Sequence, residues 1–288
     1  EKNDFFLTET YGPLFLLNNH DVNASSNSLF INGTINNDTI SLSTSFQSGD
    51  VIDGGGGYDT LILSNTNHTV TLDNVTNIEA IGMGSTGTYN LTLVDNNVAA
   101  GESLIINGSS LTSGSLTVNG SAETNGYLIL IGGMMNDTLM GGSMNDMIRG
   151  GEGNDTLTGG AGSDIFQYTF LSERGTTGDT ITDFTQGSSG DVINIADLLS
   201  TSTTYDGGNG GDISNFVRFI DSGSHSLLQI NATGTGSPGD YVTLLTINGG
   251  AGTDLSTMLT TKVTDLNQYN LEIGGYTPPI PPSSVEVG

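Results

Sequence analysis

The 288-residue chain carries 31 acidic side chains against 5 lysines and arginines, a formal charge of −26. A phosphate backbone needs a basic footprint, so nucleic acid is excluded as a partner, and an anionic membrane surface would repel the chain. Cysteine is absent, which excludes disulfides and thiolate metal sites, and such uncompensated charge opposes compaction until cations bind.

Residues 1–32 hold the apolar runs 4–7 (DFFL) and 14–17 (LFLL), read as N-terminal cap strands of a solenoid. Residues 33–131 read as a β-solenoid that opens on a short repeat block, 33–62. Its units are 33–41 (GTINNDTIS), 45–53 (SFQSGDVID) and 54–62 (GGGGYDTLI). Asp38 and Asp59 are expected to face one cation site, with Asp50 on the other edge. From 63 to 131 the aspartate period lapses, but short alternating runs such as 69–72, 89–94 and 115–118 recur between Gly, Asn and Ser. An antiparallel sandwich is the competing reading for this stretch.

Four nine-residue units then follow without a gap: 132–140 (GGMMNDTLM), 141–149 (GGSMNDMIR), 150–158 (GGEGNDTLT) and 159–167 (GGAGSDIFQ). Six residues turn and three extend. Glycine permits the positive φ of a tight turn and lets carbonyl oxygens approach an ion. The apolar eighth residue (Leu139, Ile148, Leu157, Phe166) points inward. Two units make one coil, so Asp137 stacks over Asp155 and Asp146 over Asp164, eighteen residues apart. Each stacked pair offers two carboxylates plus turn carbonyls, an all-oxygen set that suits Ca2+ better than Mg2+. The turn donors are Gly133, Met135, Gly142 and Met144 in the first two units. In the last two they are Gly150, Gly151, Glu152, Gly153, Gly159, Gly160, Ala161 and Gly162. Met135 and Met144 replace the glycine at position four, so the upper turns either accept a left-handed residue at a cost or open. The roll spans 132–178. Its outer faces differ: Thr138, Met140, Thr156 and Thr158 on one side, Met147, Arg149, Ile165 and Gln167 on the other. The second face, partly apolar, is expected to pack on the capping segment that follows, with a neighbouring molecule as the alternative.

These units resemble the RTX (repeats-in-toxin) calcium-binding β-roll family. The later segments 178–184 (GDTITDF) and 190–199 (GDVINIADLL) resemble the part that closes such rolls, and 215–223, 227–231 and 242–248 resemble the C-terminal target domain of type I secreted proteins. The resemblance implies export from the bacterial cytosol by type I secretion machinery and folding on Ca2+ outside. It also implies that Asp179 completes the last calcium site and that Asp183 is a capping aspartate of the family, with a plain helix or turn cap as the alternative for Asp183. Residues 179–275 are read as the secretion target and capping domain, with short helices expected at Asp197 and at 254–259. Residues 276–288 are a Pro-rich tail.

The expected fold is all-β: a parallel β-solenoid or β-roll with calcium-binding nonapeptide turns, followed by a mixed β-rich capping domain. No signal peptide or membrane-spanning run is seen, and the chain, which begins Glu1-Lys-Asn-Asp, reads as a piece of a longer or processed protein. His-Glu-x-x-His and Gly-x-Ser-x-Gly are absent, and His20, His68 and His225 are scattered in polar, loop-like sequence, where a lone histidine is expected to be solvated surface and not a ligand, so no enzyme is expected. The expected role is a secreted, cell-surface structural module, an adhesin or surface-layer subunit, with Ca2+, self-association or cell-surface polysaccharide as partners. The alternative is the folding and export tail of a hydrolase or toxin whose catalytic domain lies upstream.

Overall fold

Short β-branched and leucine-rich strands, each ended by a Gly/Asn turn, cannot bury an apolar face alone, and here they do so by stacking in parallel. The computed structural model describes residues 6–7, 15–18, 30–42, 49–64, 67–186, 190–200, 215–221, 223–231 and 233–248. All of them fall in the compact unit Glu1–Thr253. His20, the helix expected at 254–259 and the Pro-rich tail lie outside the described residues.

Three sheets are formed among the described residues. The first has four strands, Phe6–Leu7, Phe30–Asn32, Val51–Asp53 and Val75–Thr76, all parallel. The second has nine parallel strands. It begins with Phe15–Asn18, Thr39–Leu42, Thr60–Leu63 and Ala80–Met83. It continues through Ser103–Asn107, Tyr127–Ile131, Met147–Arg149, Ile165–Gln167 and Val192–Asn194. The third opens with His68–Thr71 and runs through Tyr89–Thr92, Leu116–Asn119, Thr138–Met140, Thr156–Thr158 and Asp179–Ile181. Parallel pairing across 68–131 replaces the sandwich alternative with a continuous solenoid.

The third sheet ends differently. Val242–Asn248 adds in parallel beside Asp179–Ile181, and then His225–Ile230 and Val217–Asp221 pair antiparallel. The meander extends the growing edge of the stack, which would otherwise offer unpaired N–H and C=O groups. Arg218 lies 3.9 Å over the Tyr241 ring and donates to Gln229 at 2.8 Å, tying the meander together. Asp197 falls in the first turn of the five-residue helix Ala196–Ser200.

The core is thin. Leu139, Leu157 and Ile181 from one sheet meet Ile148 and Phe166 from the other, all at most 1% exposed. The inward eighth residue of each nonapeptide is thus borne out. Outside, the third sheet carries a polar ladder. Thr69, Asn90, Thr117, Thr138, Thr156, Thr180 and Thr246 are in register from strand to strand. Beside it run Thr71, Thr92, Asn119, Met140 and Thr158. No charged residue occupies either row. On the opposite face Met147 is buried, and Arg149 pairs with Glu173 in the 3-10 helix Leu171–Arg174 that follows the roll.

Candidate metal centre

Three pairs of Gly-rich turns stack one coil apart and share one geometry. The upper and lower members are 33–38 over 54–59, 132–137 over 150–155, and 141–146 over 159–164. In every pair the backbone N–H of the upper aspartate donates to Oδ1 of the lower one: Asp38 to Asp59 at 2.7 Å, Asp137 to Asp155 at 2.8 Å, Asp146 to Asp164 at 2.8 Å. Asparagine at position five repeats the motif. Asn37, Asn136 and Asn145 accept from the N–H of Tyr58, Asn154 and Ser163 below.

The two members of a pair differ in backbone, and glycine decides how. In the lower turns positions two and four have positive φ: Gly55 and Gly57, Gly151 and Gly153, Gly160 and Gly162. That swings the next N–H upward, so Gly56, Glu152 and Ala161 donate to the carbonyls of Thr34, Gly133 and Gly142. In the upper turns neither position has positive φ. Their position-two N–H (Thr34, Gly133, Gly142) donates instead to Oδ2 of its own aspartate, at 2.5–2.6 Å. Met135 and Met144 therefore sit in turns that never ask for a left-handed residue.

The consequence is chemical. Oδ2 of Asp59, Asp155 and Asp164 is buried and has no hydrogen-bond donor. A buried acceptor left without a partner costs roughly 1–3 kcal/mol, and more when it is charged. The same oxygens lie so close to Gly54, Gly150 and Gly159 that a β-carbon there would collide with them. The carbonyls of Gly150 and Gly159 press on Gly132 and Gly141 in the same way. Oxygen atoms thus crowd together where no proton donor reaches. Burial raises Asp155 and Asp164 to about 8, with the stacked neighbours Asp179 and Asp146 adding like charge. Burial also lifts Asp59 and Asp137 to about 6 and Asp146 and Asp179 to about 7. The ion pair of Arg149 with Glu173 neutralises none of these groups.

Among the described residues no three carboxylates or imidazoles converge. The ligand set is therefore one or two carboxylates completed by backbone carbonyls, which fits a hard divalent cation with an all-oxygen shell. Bound there, such an ion would neutralise the ladder and satisfy the unpaired oxygens.

The family profile of the RTX calcium-binding nonapeptide repeat matches this chain in 4 copies, over residues 47–63 and 131–166. The chain carries RTX calcium-binding repeats, and over those coils its solenoid is a calcium-binding β-roll. No curated protein matches the chain.

The structure places the expected residues as follows. Asp137, Asp155 and Asp179 form one ladder, and Asp155 donates its N–H to Asp179 Oδ1 at 2.9 Å. Asp146 and Asp164 form the other. Asp38 and Asp59 stack at the N-terminal end, while Asp50 precedes a strand of a different sheet and stands apart from them. Asp183 accepts from the N–H groups of Gly159 and Gly160 at 2.9 and 2.8 Å, which makes it a turn cap.

Four participants lie off the eighteen-residue stacking step. Asp191 closes the second ladder by accepting from Asp164 N–H at 2.9 Å, twenty-seven residues on. Glu79 does the same for Asp59 at 2.6 Å with a longer side chain. The fully buried Tyr168 donates its hydroxyl to Asp179 Oδ2 at 2.8 Å. Glu173, also buried, accepts from Arg149 and from Thr169 N–H. Only Asp191 had a visible signal, the Gly-Asp before an apolar strand at 190–193. His68 corrects an expectation. It is not in a solvated loop but 1% exposed in a strand, its ring stacked 5.4 Å from Tyr89, because the register puts it directly beside that residue. His225 begins the strand His225–Ile230.

Proposed function

We propose that the chain is a calcium-dependent structural and display module of a bacterial cell-surface protein of the adhesin or surface-layer kind, exported by type I secretion machinery and not itself an enzyme. The observation that supports this most is the set of three stacked turn pairs, each with a donor-less buried carboxylate oxygen, in a chain of charge −26. Such a chain resists compaction where calcium is scarce and folds where calcium is abundant, so export unfolded and folding outside follow from one physical property. No helix of the described residues is long and apolar enough to cross a membrane. The long coil stack that precedes the repeats supports a rigid spacer, and the neutral Thr/Asn face is a surface on which copies or uncharged polysaccharide could lie.

The test is a Ca2+ titration of chelator-treated protein followed by circular dichroism and sedimentation, with export assayed in cells that carry a type I exporter. A cooperative gain of β signal, together with calcium-dependent release of folded protein into the medium, is the expected result. Equal folding with and without calcium would sink the proposal. An upstream hydrolase motif in the full-length protein would move the reading to an export tail.

A further inference from the structure

The turn 120–126 lies one coil above the turn 141–146, outside the matched repeat residues. Its carbonyl at Glu123 accepts from Ser143 N–H at 2.9 Å, and Leu128 N–H just after it donates to Asp146 Oδ1 at 2.7 Å. Glu123 is fully buried. Its Oε1 accepts from the N–H groups of Asn125 at 3.1 Å and Gly126 at 2.9 Å, which folds the carboxylate over its own turn. Its Oε2 is buried and has no donor. A second oxygen in the turn shares that condition, Asn125 Oδ1. The amide cannot be flipped to cure this. Asn125 Nδ2 faces Asp95 Oδ1 at 3.3 Å, and exchange would set two acceptors against each other.

Asp146 adjoins from below. A β-carbon on Gly142 would stand 3.2 Å from Glu123 Cβ, while the Gly142 N–H donates to Asp146 Oδ2. Glu123 is near enough to add like charge to Asp146. Neither carboxylate has a Lys or Arg partner in the described structure. Two buried acceptors of different chemistry, one anionic and one amide, thus share a seven-residue turn that supplies them no donor.

We propose that Glu123 and Asn125 hold a further divalent cation of the calcium class, between turn 120–126 and the first repeat turn on that edge. The site rests on the reading of the roll as calcium-binding, but it uses none of the nonapeptide pattern. A carboxylate, an amide oxygen and nearby carbonyls are the donors such an ion takes. The ion would carry the cation column one coil beyond the repeats and fasten them to the solenoid above.

Isothermal titration of the chelator-stripped full chain with CaCl2 decides it, comparing wild type, Glu123→Gln, Asn125→Ala and Asp155→Asn, with far-UV spectra to check folding. Glu123→Gln keeps the acceptor for the two N–H groups and is expected to bind one Ca2+ fewer per chain. Asn125→Ala is expected to lose or weaken that same ion. Asp155→Asn should lose calcium from the repeats and keep this ion. A wild-type isotherm from Glu123→Gln overturns the site, and a buried water on Oε2 would give that result. If Glu123→Gln does not fold, a wild-type isotherm from Asn125→Ala overturns it instead. A wild-type chain that takes up no calcium would overturn the repeat reading, and this site with it.

Discussion

At the scale of single residues, the roll is a contest between backbone conformation and carboxylate desolvation. The glycine at position four is essential only in the lower turn of a pair. Gly153 has φ +137°, and an added β-carbon would sit 2.8 Å from the Met135 carbonyl. Gly153→Ala is therefore expected to cost of order 1–3 kcal/mol, read as a lower thermal midpoint in calcium. Met135→Gly should bring no gain in calcium affinity, because Met135 is not among the positive-φ residues. A large gain would mean that the methionine strains the turn. Asp155 stands between Asp137 and Asp179 in its ladder, so Asp155→Ala removes a carboxylate from two stacked levels. It is expected to lower calcium uptake at both, whereas the exposed Asp73→Ala should change nothing. Equal uptake by the two variants would refute the stacking assignment. Tyr168→Phe tests the closing end. It strips Asp179 Oδ2 of its donor while keeping the ring packed, and it is expected to destabilise the fold by about 1–3 kcal/mol in a urea melt.

At the scale of elements, what could be read from the residues depended on coil length. Where two nonapeptides make a coil, stacked partners are eighteen apart, and Asp137 over Asp155 is legible by counting. Elsewhere the coils stretch. The third-sheet ladder passes from Thr69 to Asn90, Thr117, Thr138, Thr156 and Thr180, in steps of 21, 27, 21, 18 and 24 residues that no fixed period detects. Glu79 was hidden for the same reason, and Glu123 because it acts within its own turn; only Asp191 left a trace, in the Gly-Asp that precedes an apolar strand. The inward eighth residues of the nonapeptides were legible, since burial of alternate side chains needs no knowledge of coil length, whereas the buried His68 was not. The ladder itself contributes to stability. Thr158 and Thr182 share a 2.7 Å hydroxyl contact, and Asn90 donates to Thr69 at 3.1 Å. Valine keeps the branched shape and removes only the hydroxyl, so Thr158→Val should cost roughly 0.5–1 kcal/mol. The cost should vanish in a Thr182→Val background, and a double-mutant cycle with no coupling would show the contact to be incidental.

At the scale of the whole molecule, the charge balance sets opposite pH dependences for the free and the calcium-loaded chain. In the calcium-free fold, burial, reinforced at all but Asp137 by nearby like charges, raises Asp59, Asp137, Asp146, Asp155, Asp164 and Asp179 from an ordinary 3.8 to between about 6 and about 8. The folded chain then holds protons that the unfolded chain has released. Stability rises with pH only where the unfolded state binds more protons, and here it binds fewer. The contribution is thus fully present below the unfolded value, near pH 4, and is lost as pH rises through 6 to 8. In chelator the roll should therefore be better folded at pH 5 than at pH 8. Calcium reverses the sign. Its ligands must be deprotonated, so acid competes with the ion, and in millimolar calcium the same melt should fail first on the acid side. Thermal unfolding at pH 5, 6.5 and 8, with chelator and with calcium, measures both slopes. Parallel slopes in the two conditions would mean that the buried carboxylates are not where the ion binds. Crossing slopes would tie the unpaired oxygens of Asp59, Asp155 and Asp164 to the cation and explain why so acidic a chain can close its turns at neutral pH.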